Sequence, residues 1–326
     1  MKRNIIPMKL VYSLFIMAAM LFQFSAIAQD VTEEETGPDN RPSKPAFESG
    51  LLFDQQTDNV QQKNTLEFVI QHRFGSVEYG LKKDLYGLWG SSNIRLGLNY
   101  TILKNVLVGW GTTKNKKAED FQVKYNILRQ TRSNSIPVSV TLYSDLQIDC
   151  ALPKDDTLAV GKNFKFTNRF SYFTELIISR RFNNHLSMQI APSFTHYNWL
   201  KVDTINIKSP DAYWLPFNSA DMTGWEHDMI GISYGVRYKI SPQTSLMASI
   251  DLPLQIKGIA EYKEFINPPK PDICIGAEIS TSTHAFHIFF SSSQGILPQE
   301  IMMNNQNDFF KRQFLLGLNI TRLWNF

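Results

Sequence analysis

From residue 64 onward, apolar and polar residues alternate with a period of two. In Thr65–Phe74, Leu66, Phe68, Ile70 and Phe74 share one face, while Thr65, Glu67, Gln71 and Arg73 share the other, with Val69 as the apolar exception. In Asn93–Tyr100, Ile94, Leu96, Leu98 and Tyr100 alternate with Asn93, Arg95, Gly97 and Asn99. A helix would place its apolar residues three and four apart, so these segments are predicted as strands with one apolar and one polar face. The alternation continues in Val106–Thr113, Phe121–Arg129, Val138–Ile148, Arg169–Arg181, Leu186–Tyr197 and Met229–Ile240. It ends with Ser245–Leu252, Ile273–Thr281, His284–Ser291 and Gln313–Phe326, which makes about twelve strands. Each is near the ~9–11 residues that cross a bilayer as a tilted strand.

The connections sort by length. Short links fall at 102–105, 183–185, 241–244 and 282–283, with a slightly longer one at 130–137. Long links run over 75–92, 149–168, 198–228, 253–272 and 292–312, with a shorter one at 114–120. Short and long alternate along the chain, as the periplasmic turns and outer loops of a membrane barrel do. An antiparallel up-and-down transmembrane β-barrel follows. Closure is required because an open sheet edge in hydrocarbon leaves backbone amides unpaired. No apolar stretch after Phe24 approaches the ~20 residues of a membrane helix.

Three segments are expected. Residues 1–28 read as a secretion signal: Lys2, Arg3 and Lys9, then the apolar run Leu10 to Phe24, then Ala26-Ile27-Ala28, with cleavage after Ala28. Residues 29–63 are polar, open with Glu33 to Glu35 and carry Pro42 and Pro45, and read as a periplasmic tail in which Phe47 to Phe53 could tuck against the barrel. Residues 64–326 form the barrel. The signal holds three bases and no acid, so its removal takes the formal net charge from +3 to zero. With no basic stripe and an export signal, nucleic acid is not an expected partner.

The last strand carries a more specific pattern. Phe314, Leu316, Leu318, Ile320, Trp324 and Phe326 share one face, interrupted by Arg322. Alternating apolar residues closing on a terminal aromatic look like the signal read by the barrel-assembly machinery, with Ile320, Trp324 and Phe326 as its candidate residues. Tyr100, Tyr238, Trp324 and Phe326 at one set of strand ends, and Phe74, Trp110, Tyr172 and Phe194 at the other, are expected to form the two aromatic girdles against outer-membrane lipid.

Four blocks resemble a known family: Leu66-Glu67-Phe68-Val69-Ile70-Gln71-His72-Arg73-Phe74-Gly75, Asn93 to Tyr100, Lys124 to Gln130 and Thr283 to Ile288. The family is one of uncharacterised bacterial outer-membrane proteins with a membrane-bound β-barrel domain of unknown function. The resemblance runs from about residue 50 to the end. It implies fold and location, and no activity.

Candidate chemistry sits on the polar, inward face. Glu67, Arg73, Arg95, Lys124, Asp145, Arg169, Glu175, Arg237, Lys239, Asp251 and Glu278 are the candidate lumen-lining residues. One reading is structural, with opposite charges pairing across a narrow lumen. The other is a charged pore that passes a small solute, since rings of charge select ions in channels. A barrel of about twelve strands lies between small filled barrels and wide porins, so both stay open. Gly97 and Gly317, in matching Leu-Gly-Leu-Asn contexts, are expected to make room for bulky lumen neighbours, or for the tail to dock. Trp199, Tyr213, Trp214, Phe217 and Trp225 in the longest loop pack on one another or stack on a ligand. A third reading is a membrane-embedded lipid hydrolase using Ser144 with His72, His196 or His284. It lacks any G-x-S-x-G or H-E-x-x-H motif, so no catalytic residue is assigned. No cofactor is expected. The two cysteines, Cys150 and Cys274, are expected unpaired, and no C-x-x-C or Cys/His spacing points to zinc.

Overall fold

The computed structural model describes residues 38–151, 165–199, 227–256, 259 and 269–326. The expected signal segment and most of the aromatic-rich 198–228 loop lie outside them. Residues 40–326 form one compact unit.

Two short strands precede twelve long ones. β1 (Leu51–Leu52) and β2 (Gln55–Gln56) pair only with each other. The long strands are β3 (Thr65–Ser76), β4 (Asn93–Leu103), β5 (Val106–Thr113), β6 (Ala118–Leu128), β7 (Ser139–Ile148) and β8 (Phe170–Arg181). They continue with β9 (Leu186–Tyr197), β10 (Asp228–Lys239), β11 (Thr244–Leu254), β12 (Asp272–Ser280), β13 (His284–Ser291) and β14 (Leu315–Asn325). Each pairs antiparallel with the next, and β14 returns to β3, so the sheet is a closed barrel. The seam runs from Asn325↔Thr65 to Leu315↔Ser76, with a bulge between Leu315 and Gly317.

Period-two patterning becomes period-two burial. Along β3 the side chains alternate strictly between buried and part-exposed, with Thr65, Glu67, Val69, Gln71 and Arg73 buried. Across the barrel the exposed positions are Leu, Ile, Val, Phe, Tyr and Trp, while most buried ones are polar or charged. That inversion of an ordinary core suits a wall with hydrocarbon outside. The expected girdle residues Tyr100, Trp110, Tyr172, Phe194, Tyr238 and Phe326 are all exposed on the outer face. Trp324 is half-buried under the Arg322 guanidinium, 5.0 Å from its ring.

Two boundaries differ from expectation. β6 begins at Ala118, so the link at 114–117 is four residues and as tight as the turns at the other end. The ten-residue link 129–138 is longer than a hairpin needs, because the tail docks on it. Pro42 bridges Thr131, the Ser43 amide donates to Gln130 O (2.8 Å), and the Arg132 amide donates to Arg41 O (3.0 Å).

The larger correction concerns residues 46–60, which were expected in a periplasmic tail. They lie inside the barrel. Phe47, Leu52, Phe53, Asp54, Thr57, Asp58 and Val60 are each at most 5 % exposed. Phe53 turns the β1–β2 hairpin at φ 57°, an uncommon conformation for a bulky residue, and its ring stacks on Phe289 at 4.5 Å. The polar composition that suggested a solvated tail suits a polar lumen equally well.

Candidate functional site

The site is the filled lumen. Inward parity sends side chains from every strand towards the axis, and the inserted segment meets them on several sides. Among the described residues its contacts with the strands use side chains, since the two-residue strands of the hairpin join no barrel strand.

At the end where the tail enters, Glu48 accepts from Lys239 (3.0 Å) and pairs with Arg237 (3.3 Å). Arg237 also pairs with Glu278 (3.0 Å), and Glu278 meets His287 Nε2 at 3.2 Å. Burial pushes the Glu48 carboxyl up, but the Lys239 hydrogen bond and the Arg237 charge outweigh it and hold the group below the usual range. Asp58, fully buried in the inserted segment, shows the opposite balance. Burial raises it, and the Ala46 amide N–H (3.3 Å) offsets only part of that.

Further in, the hairpin is gripped by its turn. Arg73 pairs with Asp54, both without solvent exposure, and also donates to Asn319 Oδ1 (3.0 Å). Asn319 in turn donates to Phe53 O (2.7 Å). The Arg73 guanidinium carbon lies 4.5 Å from the centre of the Phe289 ring. Gln55 Nε2 donates to Asp251 Oδ1 (3.1 Å), to Tyr234 O (3.1 Å) and to Ile250 O (3.2 Å). Gln189 donates to Gln56 O (2.9 Å), and Lys124 Nζ to Gly50 O (3.1 Å). On the far wall, Arg95 holds Asp120 with two bonds (2.8 and 2.5 Å) and donates to Gln71 (3.0 Å).

The opposite end is closed by a loop helix, Pro298–Asn304, whose Gln299, Glu300, Ile301, Met302 and Met303 are buried. Gln299 donates to Asp145 Oδ1 (2.6 Å), and Glu300 pairs with Lys116 (3.4 Å) and accepts from Asn115 (3.1 Å). Between this helix and the hairpin is a cavity of about 10 Å³, room for one water molecule, lined by Asp54, Gln55, Glu175, Asp251 and Met302 among others.

Ten of the eleven inward candidates sit on strands. Glu67, Arg73, Arg95, Lys124, Asp145, Glu175, Arg237, Asp251 and Glu278 are buried, and Lys239 is part-exposed at the tail end. Arg169 lies in the turn before β8, where it donates to Asp149 O (2.9 Å). A Cβ on Gly97 would meet the end of the Arg95 side chain at 2.7 Å, and one on Gly317 would meet the Phe289 ring at 2.6 Å. Room for bulky neighbours is therefore their role, and at Gly317 that neighbour carries the plug. The hydrolase candidates are not assembled. Ser144 bonds Thr174 (3.0 Å), His196 bonds Asp228 (2.6 Å), and His284 bonds Thr283 (3.0 Å). Cys150 is exposed and Cys274 buried, and they are not paired.

Residues missed by sequence reasoning come from the inserted segment: Glu48, Asp54, Gln55 and Gln56. Their signal was the apolar cluster Phe47, Leu51, Leu52 and Phe53 within an otherwise polar stretch. A second group was also missed. Asp54, Asp272 and Cys274 are buried with one ligand-type atom each within 4.8 Å of the others.

Comparison with known proteins adds the following. The chain resembles the NanC porin (10 % identity, TM-score 0.42), covering 80 % of this chain and 99 % of that one. It also resembles the COG4313 outer membrane channel from Pseudomonas putida F1 (12 % identity, TM-score 0.41), covering 82 % and 97 %. No curated protein sequence matches it. Residues 47–324 match a family described as membrane bound beta barrel domain (DUF5777), so the match begins within the inserted segment. The chain belongs to the family of the membrane bound beta barrel domain DUF5777.

Proposed function

We propose that the chain is an outer-membrane barrel that stands closed at rest and passes a small polar solute only when residues 46–60 leave the lumen. The observation that carries this reading is the inserted segment itself, which fills the barrel yet joins no strand of the wall. A plug held by side chains can depart without breaking the ladder that keeps the barrel in the membrane. The wall it would uncover is polar and charged, with Arg95, Asp120, Lys124, Glu175 and Asp251 facing inward. Such a surface suits a hydrated solute rather than a lipid.

Single-channel recording in a planar bilayer tests this. The full chain is expected to be silent or to open rarely, and a variant lacking residues 46–60 to conduct steadily. Arg95→Ala and Glu278→Ala in the open variant are expected to shift its anion/cation preference. A full chain that conducts as freely as the deletion overturns the reading.

A second reading is a permanently closed barrel that serves as a scaffold or binds a partner through its loops. The helix Pro298–Asn304 supports it, because it closes the lumen independently of the tail. A folded deletion variant that remains silent favours this reading over the first.

A further inference from the structure

We propose that Asp54, Asp272 and Cys274 bind a divalent transition-metal ion of the zinc type, which fastens the inserted hairpin to β12. The site rests on the plugged reading in one respect, that Asp54 comes from the hairpin while the other two belong to the wall.

Cys274 Sγ lies 3.4 Å from Asp54 Oδ2 and 3.4 Å from Asp272 Oδ2. Ser291 Oγ lies 3.3 Å from Asp54 Oδ2 and 3.4 Å from Asp272 Oδ2. A tetrahedral centre with metal–sulfur bonds of ~2.3 Å and metal–oxygen bonds of ~2.0–2.1 Å holds its ligands about 3.3–3.5 Å apart. Both sulfur–oxygen distances already stand at that spacing, as do the two from Ser291, whose hydroxyl also reaches Asp272 Oδ1 at 3.1 Å. The remaining carboxylate oxygens are engaged elsewhere. Arg73 takes Asp54 Oδ1, while Asp272 Oδ1 accepts from the Ser292 hydroxyl (2.8 Å) and the Ser293 amide (2.8 Å). Both Oδ2 atoms are thereby turned to the thiol.

Asp251 supplies a separate indication. It stands directly opposite Asp272 in the β11–β12 ladder and is 4 % exposed. Its Oδ1 accepts from Ser233 (2.5 Å) and Gln55 (3.1 Å), but its buried Oδ2 has no partner. Asp251 lines, with Asp54, the cavity beside the hairpin. Three buried carboxylates and a thiol thus lie close together, and the cation paired with one of them is Arg73, on Asp54. Uncompensated buried negative charge is costly, and a doubly charged ion offsets it. A sulfur ligand among carboxylates favours zinc-like ions over calcium or magnesium.

The test uses the full chain folded in detergent, depleted with chelator, then titrated with Zn²⁺ or Co²⁺. The expected results are one Zn²⁺ per chain by elemental analysis and, with Co²⁺, a thiolate-to-metal charge-transfer absorption. Cys274→Ser, close in size to the parent, is expected to abolish that band, and Asp272→Asn to weaken Zn²⁺ binding by about tenfold or more. Cys150→Ser is expected to change neither. Heat-modifiable gel migration confirms that each variant is folded. Zn²⁺ content no higher than in folded Cys274→Ser, or a Co²⁺ band that survives that substitution, overturns the site. Failure of the plugged reading would appear instead as steady conductance by the full chain, whatever its metal content.

Discussion

Replacing Arg73 with methionine tests how the plug is held. Arg73 and Asp54 are fully buried and paired, so Arg73→Met leaves the Asp54 carboxylate seated among Asp272 and Asp251 with no cation. Removing one member of a buried pair costs about 3–5 kcal/mol. The cost falls on the seated state, because water reaches the Asp54 carboxylate once the hairpin leaves. Methionine preserves most of the contact with Phe289, so the lower end, about 3 kcal/mol, applies. At about 1.4 kcal/mol per factor of ten, the unseated fraction rises about 100-fold. Cys274 reports it, since this thiol is buried in one cluster with Phe47, Leu52, Phe53 and Phe289. In a Cys150→Ser background with chelator present, maleimide labels Cys274 at a rate proportional to the unseated population. Arg73→Met should label about 100-fold faster than the parent. Adding Asp54→Asn should recover most of the difference, because no unpaired charge then remains. Equal labelling rates in parent and Arg73→Met, with both barrels folded, would refute the reasoning.

An ideal Cβ on Gly235 would lie 2.2 Å from Leu52 Cδ2 and 2.9 Å from Gln55 Oε1, so Gly235→Val should speed Cys274 labelling, and adding Leu52→Ala should reverse much of that. Asp58 has a folded-state pKa raised above its ordinary value by burial, so the stability it allows is complete below that ordinary value and is lost as pH rises through the raised one. Asp58→Asn should therefore flatten the fall in thermal midpoint as pH rises above about 4, the ordinary aspartate range, and an unchanged slope would remove Asp58 as its source. Arg95→Ala strands the buried Asp120 and should destabilise the barrel by about 3–5 kcal/mol, read as a lower temperature for the heat-modifiable gel shift.

The wall of this barrel was legible because each of its strands states its own orientation. Leu66, Phe68 and Ile70 against Glu67, Gln71 and Arg73 is a pattern complete within one strand, and the same parity fixes which neighbours can pair. The closing partnership of the first and last long strands also followed, since an even number of strands returns the chain to the side where it began and a barrel in hydrocarbon must close. The hairpin at Leu51–Gln56 had no such local statement. Each of its strands is two residues long, too short for periodicity to register. It is held by Asn319, Arg73, Asp251 and Gln189, which lie between 19 and 266 positions away in the chain.

Even so, the wall carries an imprint of what it encloses. A water-filled lumen has no use for apolar side chains, yet Val69, Met247, Phe289 and Phe173 all take inward positions and are at most 3 % exposed. Phe289 is the most telling. It is accommodated by Gly276 and Gly317 on the two flanking strands, where a Cβ would come within 2.4 and 2.6 Å of it. Gly317 gives room to the ring itself, Gly276 to the backbone and Cβ that carry it, and the ring stacks on Phe53. Val69 was visible as the single break in the first strand's alternation. An apolar residue on the inward parity of a polar barrel, flanked by glycines, is a contact surface awaiting its other half. That other half was present upstream as Phe47 and Leu51 to Phe53, a small apolar cluster in a stretch otherwise too polar to fold alone. The two exceptions explain each other, and only three-dimensional proximity links them, because 236 positions separate Phe53 from Phe289.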